Sequence, residues 1–66
     1  MIWRNANRDE IPEHLQEVLI SVKGVYYVTT FDSETRTFRL REEPDTFFDL
    51  NKHEIYWTEF NNPDNK

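Results

Sequence analysis

The chain has 66 residues with no cysteine and one glycine, and 13 acidic against 8 basic side chains give a net charge of −5. A chain of this length forms one domain, buries only about 60% of the surface its unfolded form exposes, and needs reinforcement from a cross-link, a metal, dense packing or self-association. The composition excludes disulfides and thiolate zinc sites, and the acidic balance argues against phosphate-driven binding to nucleic acid or an anionic membrane, which both require a basic footprint.

The N-terminal stretch "MIWRNANRDEIP" carries Trp3 but lacks the apolar run of a secretory signal. No later segment approaches the roughly 18 apolar residues of a membrane-spanning helix, so the expected compartment is the cytoplasm. Asp9 is suited to cap a single turn, and Pro12 rules out a long helix there. Gln16–Val22 and Val25–Phe31 then alternate apolar and polar residues with period two and are rich in β-branched and aromatic types, the pattern of half-buried strands. Lys23-Gly24 lies between them, and Gly24 supplies the positive φ of a two-residue hairpin. That turn predicts the pairs Val22–Val25, Ile20–Tyr27 and Val18–Thr29.

The next turn is expected at "DSETR", with Asp32 bonding to the backbone beyond it. A loop over Ser33–Arg36 pairs Phe31 with Phe38 and Thr29 with Leu40. Both turns bury the same face, and a one-residue slip of either would invert it. "EEPDTFFDLNKH", Glu42–His53, breaks the alternation. It is expected as a long connection whose Phe47, Phe48 and Leu50 partly pack on the sheet. Thr46–Asp49 fits the start of one helical turn. Glu54–Phe60 is predicted as the last strand, with Ile55 and Trp57 on one face and Tyr56 and Thr58 on the other. Residues 61–66 form an expected flexible tail. The predicted fold is therefore all-β. One domain over residues 1–60 holds a twisted antiparallel meander of four to five strands, open or curled toward a small barrel, with at most one short helical turn. Trp3, Phe31, Phe38 and Trp57 are expected as a core stripe.

Trp3, Pro12, the run Val18-Leu19-Ile20, Gly24 and the closing Tyr56-Trp57 follow an order that resembles a family of small bacterial and phage-encoded domains, domain of unknown function 551. The resemblance spans nearly the whole chain. It departs at His14-Leu15, where the family often carries a glycine between the proline and the aliphatic run, and at Glu42–His53, which is longer than usual. The resemblance implies a small β-rich domain, often prophage-linked, and brings no catalytic residues with it.

Catalysis requires a nucleophile beside a base, or paired carboxylates in a cleft. Ser21 and Ser33 have no histidine near them in sequence, and Asp49, His53 and Glu54 lack the spacing of a zinc motif. The expectation is no enzyme, no cofactor, no metal and no small-molecule substrate. The sheet face opposite the core is the better candidate. The register places Leu19, Ser21, Tyr26, Val28 and Thr30 there, with Arg39 and Arg41 on the next strand. Tyr and Arg are enriched at binding hot spots, so Tyr26, Arg39 and Arg41 are the candidate partner-binding residues. The plain alternative is a face covered by the Glu42–His53 connection or the chain ends, with the arginines solvated or paired to Glu17 or Glu42. The expected function is a non-catalytic protein-interaction or accessory module, phage- or mobile-element-related, whose partner is another protein or a second copy. Other readings are a single-stranded nucleic-acid binder through stacked aromatics and arginines, an acidic nucleic-acid mimic, and a purely structural homo-oligomer.

Overall fold

Lys23 and Gly24 both take positive φ, 53° and 84°, the signature of a type I′ turn whose twist matches that of the strands it joins. The turn connects β2 (Glu17–Val22) to β3 (Val25–Asp32) in the predicted register, Val22 opposite Val25 and Val18 opposite Thr29. At the far end of β3 the Asp32 carboxylate accepts the N–H groups of Glu34 and Thr35 at 2.9 and 3.3 Å. Arg36 closes the loop with φ 57°. The chain then returns as β4 (Thr37–Leu40), with Phe31 opposite Phe38 and Thr29 opposite Leu40, again as predicted.

The computed structural model describes residues 2–59. Phe60 and the expected tail 61–66 lie outside the described residues. Three further strands complete the sheet: β1 (Arg4–Asn5), β5 (Phe47–Asp49) and β6 (Tyr56–Glu59). The strand order is β1-β6-β2-β3-β4-β5, a single open antiparallel sheet of six strands. The count exceeds the predicted four to five because β1 and β5 are too short to show alternation. The helical turn expected at Thr46–Asp49 is instead strand β5, whose Phe48 pairs with Phe38. Burying an aromatic against the sheet wins there over a weak capping signal. Among the described residues no helix is long and apolar enough to cross a membrane.

One face of the sheet is buried by Val18, Ile20, Val22, Phe31, Phe38 and Trp57, with Tyr27 and Phe48 packed at its margin. Phe31 and Phe38 meet at 4.7 Å and Tyr27 and Phe48 at 4.8 Å between ring centroids, which adds about 0.5–1.5 kcal/mol per pair beyond the area buried. Ala6, Leu50 and Ile55, which belong to connecting segments, complete the core. Asn7 fastens two of these segments together. Its Nδ2 donates to the carbonyls of Leu50 and His53 at 2.9 and 3.1 Å, and its Oδ1 accepts the Ile55 N–H at 2.9 Å. The Trp57 Nε1–H donates to the Glu10 carbonyl at 2.7 Å, tying down the same N-terminal segment. The turn after β1 is organised by Asn5, whose Oδ1 accepts the Asn7 N–H and whose carbonyl accepts those of Arg8 and Asp9. The carboxylate of Asp9, expected as the cap, accepts the Asn5 N–H at 3.3 Å.

Trp3 is not part of the core. Arg4 pairs with Trp57 across β1 and β6 and lays its guanidinium over the Trp57 ring, 5.1 Å from the centroid. Arg4 therefore takes the inner-face place in β1, and alternation turns Trp3 to the outer face.

Candidate functional site

The outer face is built from the residues that the register leaves over. Leu19, Val28, Thr58 and Arg41 occupy one row across the sheet, and Ser21, Tyr26 and Tyr56 the next. Arg39 pairs with Phe47 on the far side. Tyr26, Arg39 and Arg41 thus share one face on adjacent strands, as the sequence indicated.

Their surroundings differ from a bare platform. Tyr26 is 65% exposed, yet its ring stacks on Trp3 at 5.7 Å between centroids with 26° between planes. Continuing the β1–β6 register by one step sets Trp3 opposite Thr58, which is buried although it points to this face. Arg41 forms an ion pair with Glu17 at 3.2 Å. Arg39 donates to the Pro44 carbonyl at 2.8 Å and lies 5.6 Å from the centroid of the half-exposed Phe47 ring. Both arginines are therefore held by partners within the chain, and exposed pairs of this kind contribute only about 0–1 kcal/mol. Trp3 is the residue that sequence reasoning missed at this site. Its pairing with the far end of the chain sets its face, and no local pattern reveals that.

Where β4 leaves the sheet after Leu40, a cleft of about 270 Å³ opens between Tyr26, Tyr27, Val28, Leu40 and Glu42. A second, larger and more enclosed cleft of about 470 Å³ lies at the hairpin end, between Lys23 and Lys52, with Tyr56 on its wall.

The fold also brings together a serine and a histidine that are distant in sequence. His14 Nδ1 lies 3.0 Å from Ser33 Oγ, accepts the Ser33 N–H at 3.2 Å, and is 4.0 Å from Asp32 Oδ1. No histidine lies near Ser33 along the chain, and the fold supplies His14 from 19 positions away, a contact that local sequence does not reveal. The arrangement still differs from a hydrolytic triad. Serine and carboxylate both face Nδ1, whereas the relay needs them on opposite ring nitrogens. Asp49, His53 and Glu54 have separate tasks. Asp49 Oδ1 accepts the Asn51 N–H, the His53 ring stands edge-on to Phe48, and Glu54 accepts from Asn5 Nδ2. Among the described residues no group of three side chains is placed to hold a metal ion.

No family model, curated protein or solved structure matches the chain. The likeness to domain of unknown function 551 therefore rests on the residues quoted for it. Leu15, between Pro12 and the aliphatic run, adopts φ 64°.

Proposed function

We propose that this protein is a non-catalytic interaction module, an accessory domain that docks another protein chain on the outer face of its sheet. The observation that carries this reading is the Trp3–Tyr26 stack. Two large rings held against one another present rigid apolar area, and a partner that covers them orders little that is not already ordered. Phe47 and Tyr56 extend the exposed aromatic surface to either side, 51% and 41% exposed. Arg39 and Arg41 form its polar rim, each already held by a partner within the chain, Pro44 and Glu17. The net charge of −5 favours a protein over nucleic acid at this surface. The phage-linked setting that the sequence resemblance implies fits an accessory role.

Affinity capture from native lysate, with and without nuclease, tests the proposal alongside sedimentation of the purified chain. Trp3→Ala and Tyr26→Ala should keep the fold and lose the captured protein or the self-assembly. Folded variants with unchanged assembly and unchanged captured proteins would overturn it. Capture abolished by nuclease would transfer the site to single-stranded nucleic acid.

A further inference from the structure

The hydrogen-bond parity of β3 leaves one of its residues without a backbone partner. The Phe31 N–H donates to the Gln16 carbonyl at 3.0 Å, so odd-numbered residues of β3 bond toward β2. The Arg41 N–H donates to the Val28 carbonyl at 3.1 Å, so even-numbered residues bond toward β4. Yet β4 pairs only with Thr29–Asp32, and the chain leaves the sheet after Arg41. Tyr26 therefore aims its N–H and C=O into the strip that β4 vacates, and among the described residues no group bonds to either. The 270 Å³ cleft lies along that strip.

We propose that this half-edge of β3 receives an extended peptide segment of a partner protein as an added strand, basic at its leading end and apolar next. The proposal rests on the reading of the Tyr26 face as a protein-docking surface, and adds the mode of docking and the chemistry of the partner. An added strand collinear with β4 runs antiparallel to β3 and exchanges hydrogen bonds with Tyr26. Its residue opposite Tyr27 points inward, as Leu40 does opposite Thr29, and enters the cleft between Tyr27 and Leu40. Its leading residue starts beside Glu42, which lines the same cleft.

Charge selects the occupant. Glu42 lines the cleft, Glu43 and Asp45 follow it in the turn toward β5, all three are exposed, and among the described residues none has an ion-pair partner. The neighbouring cations are engaged, Arg41 by Glu17 and Arg39 by the Pro44 carbonyl. A second copy of the chain would bring the same acidic rim and a like charge of −5 against this one. A Lys or Arg at the head of the incoming strand neutralises the rim instead.

Selection of random nonapeptides displayed against the full chain tests the proposal, followed by affinity measurement on chain variants. The enriched peptides should carry Lys or Arg immediately before an apolar residue. Chemical synthesis allows N-methyl-Tyr26, which keeps the ring and removes the N–H. It should weaken binding by about tenfold or more while the melting temperature holds, the loss expected for one hydrogen bond with its partner left unsatisfied. Glu42→Lys should weaken binding about as much and flatten its salt dependence. The Tyr26 amide should exchange freely in the unbound chain and become protected on binding, a readout independent of any variant. Equal affinity for the N-methyl chain, no protection of Tyr26, enrichment of acidic peptides, or no enrichment at all would each overturn strand addition. If Tyr26→Ala alone then abolishes capture of the partner, the aromatic face still docks protein and only the strand mode fails.

Discussion

Asn7→Ala removes the fastening between the N-terminal segment and the connection before β6, with almost no change in apolar packing. The side chain makes three hydrogen bonds, to the Leu50 and His53 carbonyls and from the Ile55 N–H. The His53 contact is exposed, so water replaces it at little cost. The other two are part-buried, and Ile55 is fully buried, so its N–H and the Leu50 carbonyl lose their partners. At about 1 kcal/mol for each net bond, and somewhat more for a buried group left unpaired, the loss is about 2–3 kcal/mol. A domain of this size has about 3–10 kcal/mol in all, and each kcal/mol moves its melting temperature by about 4–8 °C. Asn7→Ala should therefore lower the melting temperature by about 10–20 °C and reduce the urea midpoint without changing the slope. Tryptophan fluorescence follows the transition directly, because Trp57 is anchored to Glu10 in the same segment. A variant within about 0.5 kcal/mol of wild type, the range of ordinary surface substitutions, would show that the three bonds do not act as a fastening.

Leu15→Gly should stabilise the chain by about 0.5–1 kcal/mol, because Leu15 is 62% exposed at φ 64°, and relief of left-handed strain outweighs the added entropy of the unfolded chain; an unchanged or lower urea midpoint would contradict this. Gly24→Val should cost about 1 kcal/mol or more through the backbone alone, since no atom lies within 4 Å of the added Cβ and φ is 84°; a neutral result in thermal denaturation would mean that the hairpin accepts another turn type. Trp57→Ala should cost about 3–5 kcal/mol, a large share of the domain's total stability, and lower the urea midpoint accordingly; an unchanged midpoint would remove Trp57 from the core.

The sequence alone determined the centre of the sheet. Lys23-Gly24 and Asp32–Arg36 are short turns that bind neighbouring segments, so each sets register and buried face from local information. Two such turns in succession over-determine the placement of Val18, Ile20, Phe31 and Phe38. The all-β class followed from period-two alternation, which needs no knowledge of distant residues. Tertiary structure decided everything that depends on the chain ends meeting. β1 exists because Arg4 and Asn5 find Trp57 and Tyr56, and this pairing, not any local periodicity, puts Trp3 outside against Tyr26. β5 is a strand because Phe48 can be buried opposite Phe38, an outcome that outweighs the capping signal of Thr46. The grip of Asn7 reaches across 43 to 48 positions, and that of His14 on Ser33 across 19. Hydrogen bonds over such separations leave no periodic trace, because the sequence between the partners is free to vary while the fold brings them together.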